Sequence, residues 1–344
     1  MNVQRIFFAV ALGVTLVAGA SEPKPWTHLN YQNDPDEFQF AIVPDRTGGD
    51  YRNAFTNALA KVNLMHPEFV MTVGDLMEGS PKFDRMRAQQ TELTNMTAKV
   101  KAPFFTVVGN HDISRSRAYP PGYESVNEDN LKVWKEYYGA NTYYSFVYKN
   151  VLFVCLHTTE GRGIRPYSAQ VGITASQYAW FKKTLDAHPD VRWTCIFMHQ
   201  PAEWLTDEWL KFEKEELLKR QYTVFAGDWH TYLHVKRHGR DYYALSVAGG
   251  CSGGPDRKVL RGLAYGEVDH ITWVTMTKDK GPEVVNLTLD GILPGDFMDQ
   301  SRTLWTNRIE PLDYPVNPKT VERLKALKEE SQNRLNTSKA SSAQ

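Results

Sequence analysis

The segment T-V-V-G-N-H-D, Thr106 to Asp112, is a short β-branched run that stops at a glycine and then releases Asn110, His111 and Asp112. One such ending says little, because Asn and Asp are ordinary turn residues after a strand. Its weight comes from repetition. A-I-V-P precedes Asp45, M-T-V-G precedes Asp75, C-I-F-M precedes His199, and V-F-A-G precedes Asp228 and His230. Each of these apolar runs delivers Asp, Asn or His at its carboxyl end, which is where open α/β sheets bind ligands.

The segments between these runs set the fold class. Tyr51 to Met65, Phe83 to Lys99 and Ser176 to Ala187 have helical spacing; in the last, Tyr178, Trp180, Phe181 and Leu185 share most of one face. Strand and helix therefore alternate from Phe38 to about Phe225, which predicts an α/β sheet with helices on both faces. From Tyr222 to Leu289 the helical pattern stops. Y-Y-A-L-S-V, H-I-T-W-V-T-M-T and E-V-V-N-L-T-L follow, with Lys278-Asp279-Lys280-Gly281 as a hairpin turn. A second sheet packed on the first accounts for them. Residues 21–295 read as one domain, and 296–344 as an extension, partly helical over Pro318 to Leu335 and then disordered.

The 344 residues carry 40 bases and 40 acids. Such a balance gives no global basic field and argues against nucleic acid as the main partner. Residues 1–20 combine Arg5, an apolar stretch from Ile6 to Val17 and the pattern Ala18-Gly19-Ala20. They read as a cleaved signal peptide, too short for a comfortable membrane span, so the mature protein is expected to be secreted or periplasmic. Cys155, Cys195 and Cys251 read as buried thiols.

The order of the rim residues carries a resemblance. Asp45, then G-D at Asp75, then G-N-H-D at Asn110 to Asp112, then His199, then G-x-x-H at His230 is similar to the calcineurin-like metallophosphoesterases. That resemblance implies a two-sheet αββα sandwich and a pair of metal ions bridged by one Asp and a water or hydroxide. It implies that Asp75 bridges the metals, that Asp45 and His230 bind the first, and that Asn110 and His199 bind the second. His111 would face the substrate and give a proton or hydrogen bond to the leaving oxygen. Asp112 would orient His111, since a carboxylate fixes the tautomer of an imidazole it contacts. The implied reaction is hydrolysis of a small-molecule or exported phosphoester, a monoester or a diester, by a bridging hydroxide. Two cations about 3.5–4 Å apart lower the pKa of a shared water and clamp the attacked oxygens.

Two positions depart from the family pattern. Thr47 stands where D-x-H has its His, and Asp228 stands where G-H-x-H has its first His. Purple acid phosphatases, which resemble this family, also lack the first His and place a Tyr three residues after the bridging Asp; here that residue is Glu78. The expected metal sets are therefore Asp45, Asp75, Glu78 and His230, and Asp75, Asn110, His199 and Asp228. Four carboxylates neutralise two divalent ions; the pair is expected to be divalent or mixed-valence, with Mn or Fe favoured and Mg or Zn as alternatives. A neutral cluster attracts phosphate less, so Arg46 becomes a candidate for holding phosphate oxygens; the alternative is a structural ion pair.

His157 and His234 read as scaffold and His66 as surface. Gly161 to Pro166 is a basic loop near a strand end. Specificity is expected in loops, Ser114 to Asn127 and Ala202 to Lys219. The rival function is an exported non-catalytic binding protein on the same scaffold, with one metal or none.

Overall fold

The computed structural model describes residues 31–48, 53–80, 82–113, 124–139, 141–160, 172–202, 206–250, 266–288 and 292–294. The expected signal peptide and C-terminal extension, Cys251 and the basic loop at 161–166 lie outside the described residues. Every strand and helix named below belongs to the compact unit Pro35–Gln344.

Eleven strands form two sheets. They are β1 (Phe38–Val43), β2 (Val70–Thr72), β3 (Tyr144–Tyr148), β4 (Val151–Cys155), β5 (Trp193–Phe197), β6 (Tyr222–Ala226), β7 (Leu233–Arg237), β8 (Arg240–Ala244), β9 (His270–Thr277), β10 (Gly281–Thr288) and β11 (Ile292–Pro294). One sheet has the order β11-β10-β9-β1-β2, the other β3-β4-β5-β6-β8-β7. The helices are α1 (Ala54–Met65), α2 (Phe83–Thr97), α3 (Asn110–Ile113), α4 (Glu124–Tyr138), α5 (Ala175–Ala187) and α6 (Asp207–Glu215).

Alternation along the strands builds the layers, because successive side chains point to opposite faces. Phe38, Phe40 and Ile42 of β1 meet Phe153, Phe197 and Phe225 of the other sheet in a shared inner core. Ala41 and Val43 face outward onto Phe55, Leu59 and Val62 of α1 and Leu93 of α2. Leu152, Ile196 and Val224 face outward onto Phe181 of α5 and Trp209 of α6. The result is the αββα sandwich that the family resemblance implied. Cys155 and Cys195 are buried free thiols, and burial pushes Cys155 up to about 12.

Three expectations need correction. First, the sheets do not follow one another along the chain. β1 and β2 start one sheet, β3 to β8 build the other, and β9 to β11 return to the first, where β9 pairs antiparallel with β1 from Phe38↔Met276 to Ile42↔Thr272. Second, the run A-P-F-F-T-V-V that leads into Gly109, expected as a strand, is not a full one. It follows β2 through the Val70↔Phe104 bridge, and then the Thr72 hydroxyl, not a backbone carbonyl, accepts the Val107 N–H at 3.1 Å. Third, the stretches expected as specificity loops contain helix. α4 begins at Glu124, and α6 is capped by the Thr206 hydroxyl, which accepts the Trp209 N–H, while Trp209, Phe212 and Glu213 are buried.

Candidate metal centre

The candidate ligands converge from both sheets. Asp45 lies two residues past β1; its carbonyl accepts the Ala248 N–H at 2.7 Å, while Arg46 N–H donates to the Asp75 carbonyl at 3.0 Å. Asp75 follows β2 and Gly74, His199 follows β5, and Asp228 and His230 follow β6. Asp75, Asp228 and His230 have φ of 57°, 69° and 53°. Left-handed backbone in residues other than glycine is uncommon and marks turns where a side chain must be aimed.

His199 organises the centre. Its Nδ1 lies 2.8 Å from the Val73 carbonyl. A carbonyl only accepts, so Nδ1–H donates there and the neutral ring carries its lone pair on Nε2. Around that lone pair stand Asn110 Oδ1 at 2.9 Å, Asp75 Oδ2 at 3.2 Å and Asp228 Oδ1 at 3.4 Å. One nitrogen and three oxygens thus share a space with His199 and Asn110 buried around it. Alongside, Asp45 is fully buried; Oδ2 accepts the Asp228 N–H at 2.8 Å and lies 3.4 Å from His230 Nε2, while Oδ1 is buried with no hydrogen bond. Asp45, Asp75 and His199 present ligand atoms all within 4.8 Å of one another.

The electrostatics favour positive charge at His199 Nε2, carried by a proton or by a metal ion. Burial raises the Asp45 carboxyl well above its usual range, opposed by His199. Burial would lower the His199 pKa, but Asp75 and Asp45 outweigh it and raise it well above the ordinary value, which favours a proton on Nε2; the neutral ring, with its lone pair there, is the form that would bind a metal. Asp75 is also desolvated, yet His199 and His111 hold it below the usual range. A buried group of carboxylate oxygens, an amide oxygen and an imidazole nitrogen is a donor set that suits a divalent metal ion.

The remaining sequence candidates lie elsewhere. Glu78 is exposed, outside the converging set; it contributes its backbone carbonyl, which lies 2.7 Å from His111 Nδ1. The Asp112 carboxylate makes no direct contact with the His111 ring, contrary to expectation: Oδ2 accepts the N–H groups of Asp75 at 2.9 Å and Gly109 at 2.8 Å, and Oδ1 those of Leu76 at 3.0 Å and Met77 at 3.2 Å. Its short side chain points back under its own turn. Burial, with Asp75 nearby, pushes the Asp112 carboxyl up to about 6. The Arg46 guanidinium is engaged by Glu92 at 2.7 Å and lies over the Phe55 ring, the structural alternative to holding phosphate. Thr47 is buried, with Oγ1 3.4 Å from His230 Nε2.

Glycines precede the ligands because the two turns touch. A Cβ on Gly109 would lie 2.2 Å from Asp75 N and Oδ1, and one on Gly227 would lie 2.7 Å from Asp45 Oδ1. Sequence reading missed Ser246, whose Oγ donates to the His230 carbonyl at 3.0 Å and accepts the Val268 N–H at 3.1 Å. The single serine in the run Y-Y-A-L-S-V was the available signal. His157 bonds Thr159, His234 pairs with Asp241 at 2.8 Å, and His66 is exposed, all apart from the converging set.

Among known families, the calcineurin-like phosphoesterase model matches residues 27–247. Similar solved structures include PhoD, at TM-score 0.56 and 11% identity over 87% of this chain and 78% of that one. A dimetal phosphatase from Danio rerio aligns at TM-score 0.49 and 14% identity over 73% and 99%. GAP50, the anchor in the inner membrane complex of Plasmodium, aligns at 0.49 and 11% over 85% and 95%. At these identities the likeness is one of fold. No curated protein sequence matches the chain.

Proposed function

We propose that this chain, which belongs to the calcineurin-like phosphoesterase family, is a phosphoric ester hydrolase acting on a small-molecule or exported phosphoester. The observation that carries the reading is the Nε2 lone pair of His199 facing Asn110, Asp75 and Asp228 oxygens beside the unbonded, buried Oδ1 of Asp45. Asp75, Asn110, His199 and Asp228 would hold one ion, and Asp45, Asp75 and His230 the other, without the Glu78 carboxylate. Two divalent or mixed-valence ions, Mn or Fe favoured, would supply charge neutralisation and a nucleophile near neutral pH.

The chain's own groups do the rest. Asp75, which would serve both ions, is held in place: its Oδ1 accepts the His111 N–H at 2.8 Å while Oδ2 faces His199. His111 is half-buried, with Nδ1–H on the Glu78 carbonyl. That leaves Nε2 as the atom to give a proton, in the imidazolium form, to the leaving oxygen.

The test is metal analysis of purified protein together with turnover of nitrophenyl phosphate and bis-nitrophenyl phosphate after adding Mn or Fe. The expected result is two bound ions per chain and hydrolysis of at least one ester. No bound metal and no turnover would favour the rival reading, an exported binding protein without catalysis. We propose export as well, on the strength of Ile6 to Ala20; N-terminal sequencing of the mature protein should find cleavage near Ala20. No described helix is long and apolar enough to cross a membrane.

A further inference from the structure

We propose that Ser246 is a positioning residue for the His230 turn: its hydroxyl ties that turn, which leaves one sheet, to the start of β9 in the other, and so fixes His230 against Asp45. The inference rests on the reading of Asp45, Asp75 and His230 as the holders of one ion.

Asp45 and His230 reach the rim from different sheets, since Asp45 follows β1 and His230 follows β6. Their approach, 3.4 Å from Oδ2 to Nε2, therefore depends on how two sheet ends are joined. Ser246, two residues past β8, lies on a segment that joins them. Before it, Leu245 N–H donates to the Ala226 carbonyl of β6 at 2.7 Å. After it, Val247 bridges to both Asp45 and Asp269, and Ala248 N–H donates to the Asp45 carbonyl at 2.7 Å. The backbone on either side of Ser246 is thus fixed to β6 and to the end of β1, which sets the place of the side chain between them.

The hydroxyl fills both of its roles there. It donates to the His230 carbonyl at 3.0 Å and accepts the Val268 N–H at 3.1 Å. Ser246 is 0% exposed, so water cannot readily replace it in either bond. The turn needs such support, because Asp228 and His230 both have left-handed backbone, φ 69° and 53°, which persists only where the surroundings hold it. One end is held by Asp228 N–H on Asp45 Oδ2 at 2.8 Å, the other by Tyr232 N–H on the Gly266 carbonyl at 2.7 Å. Between them, Ser246 grips the carbonyl of the ligand residue itself. The ion beside His230 depends most on this grip. Glu78 is exposed, and Thr47 offers only a neutral hydroxyl, 3.4 Å from His230 Nε2, where the family pattern has an imidazole.

Ser246→Ala removes the donor to the His230 carbonyl and the acceptor for Val268 with no change of charge. The experiment is a Mn2+ titration of the full chain, with free ion measured by its electron paramagnetic resonance signal. The ion at His230 is identified as the one lost in His230→Ala. We expect that ion to bind at least tenfold more weakly in Ser246→Ala, as when a group supporting a ligand is removed, and the ion at His199 to stay within about twofold. A general loosening of the fold would weaken both. Ser246→Cys donates poorly from a similar volume and serves if the Ala variant does not fold; the same ion should weaken severalfold. Equal weakening of both ions, or wild-type binding of the ion at His230, overturns the proposal. Hydrogen exchange in metal-free protein follows the turn directly. Residues 227–232 should exchange at least tenfold faster in Ser246→Ala with β1 unchanged, and an unchanged rate at 227–232 also overturns the proposal. If the wild type binds no Mn2+, the reading of the ligands fails, while exchange at 227–232 still decides whether Ser246 holds the turn.

Discussion

His111 Nδ1 is anchored 2.7 Å from the Glu78 carbonyl, so the backbone of Glu78, not its side chain, reaches the centre. Glu78→Ala preserves that carbonyl. Metal content should stay at the wild-type value and the rate within about twofold, as for surface substitutions away from special features. Loss of one ion per chain in elemental analysis would return the carboxylate to the metal set.

Asp228 stands 3.4 Å from His199 Nε2 and offers oxygen where the family pattern has imidazole nitrogen. Asp228→His should move preference from Mn toward Zn, because nitrogen ligands suit Zn better than Mn. Thermal shifts measured with each ion should show the ratio of affinities moving by about tenfold toward Zn. The left-handed backbone at φ 69° is one that His tolerates better than most residues, so the variant should fold. An unchanged ratio would mean that Asp228 is not a ligand.

The contact between the Gly109 backbone and Asp75 leaves no room for a methyl group. Gly109→Ala puts Cβ 2.2 Å from Asp75 N and Oδ1, both held by hydrogen bonds. Relief requires movement of the loop, so the substitution should cost about 1–3 kcal/mol in urea unfolding, as overpacking does. Metal affinity should fall at least tenfold. Wild-type affinity would show that the two turns can separate without disturbing Asp75.

The fold was legible where local pattern and tertiary structure agree. Buried apolar runs such as V-L-F-V-C became strands, and Asp45, Asp75, Asn110, His199, Asp228 and His230 did reach one rim. What could not be read depends on contacts distant in sequence. Nothing in H-I-T-W-V-T-M-T states that it returns to pair with β1, since its alternation fits the edge of either sheet. Asp112 and Glu78 were misplaced for a related reason. Residue type and spacing suggest which side chains carry chemistry, but not whether a residue will contribute its side chain or its carbonyl. The left-handed turn at Asp75 decides that here.

His270 makes the stability depend on pH in a known direction. Its ring is fully buried and edge-on to Tyr232 at 5.6 Å, and burial depresses its pKa to about 4. Below the unfolded value of about 6.5 the unfolded chain takes up a proton that the folded ring refuses, so stability falls as pH drops from about 6.5 toward 4. Between pH 7 and 5 this single group should remove about 2 kcal/mol. Urea midpoints of wild type and His270→Gln at both pH values isolate the effect, since other titrations are common to the two proteins. The variant should lose about 2 kcal/mol less than wild type over that interval; equal losses would refute it.

At the far end of β6 from the metal candidates, Glu213 and Arg237 form an ion pair whose side chains are 0% and 1% exposed, with Nη2 to Oε2 at 2.7 Å. Tyr222 donates to Glu213 Oε1 at 2.9 Å, Tyr242 donates to the same oxygen, and the Arg237 guanidinium lies over the Tyr242 ring. Desolvation of two charges offsets most of their attraction, so the intact pair adds little net stability. Breaking it is a different matter, because the surviving charge stays buried without its partner. Glu213→Ala should therefore cost about 3–5 kcal/mol in urea unfolding. Replacing both partners by apolar residues of similar volume, Glu213→Leu with Arg237→Met, should cost much less than the single change. Metal content should be untouched in the double variant, since Tyr222 starts β6 and Asp228 follows its end. A double variant as unstable as Glu213→Ala would show that the pair, with its two tyrosines, stabilises the sheet outright.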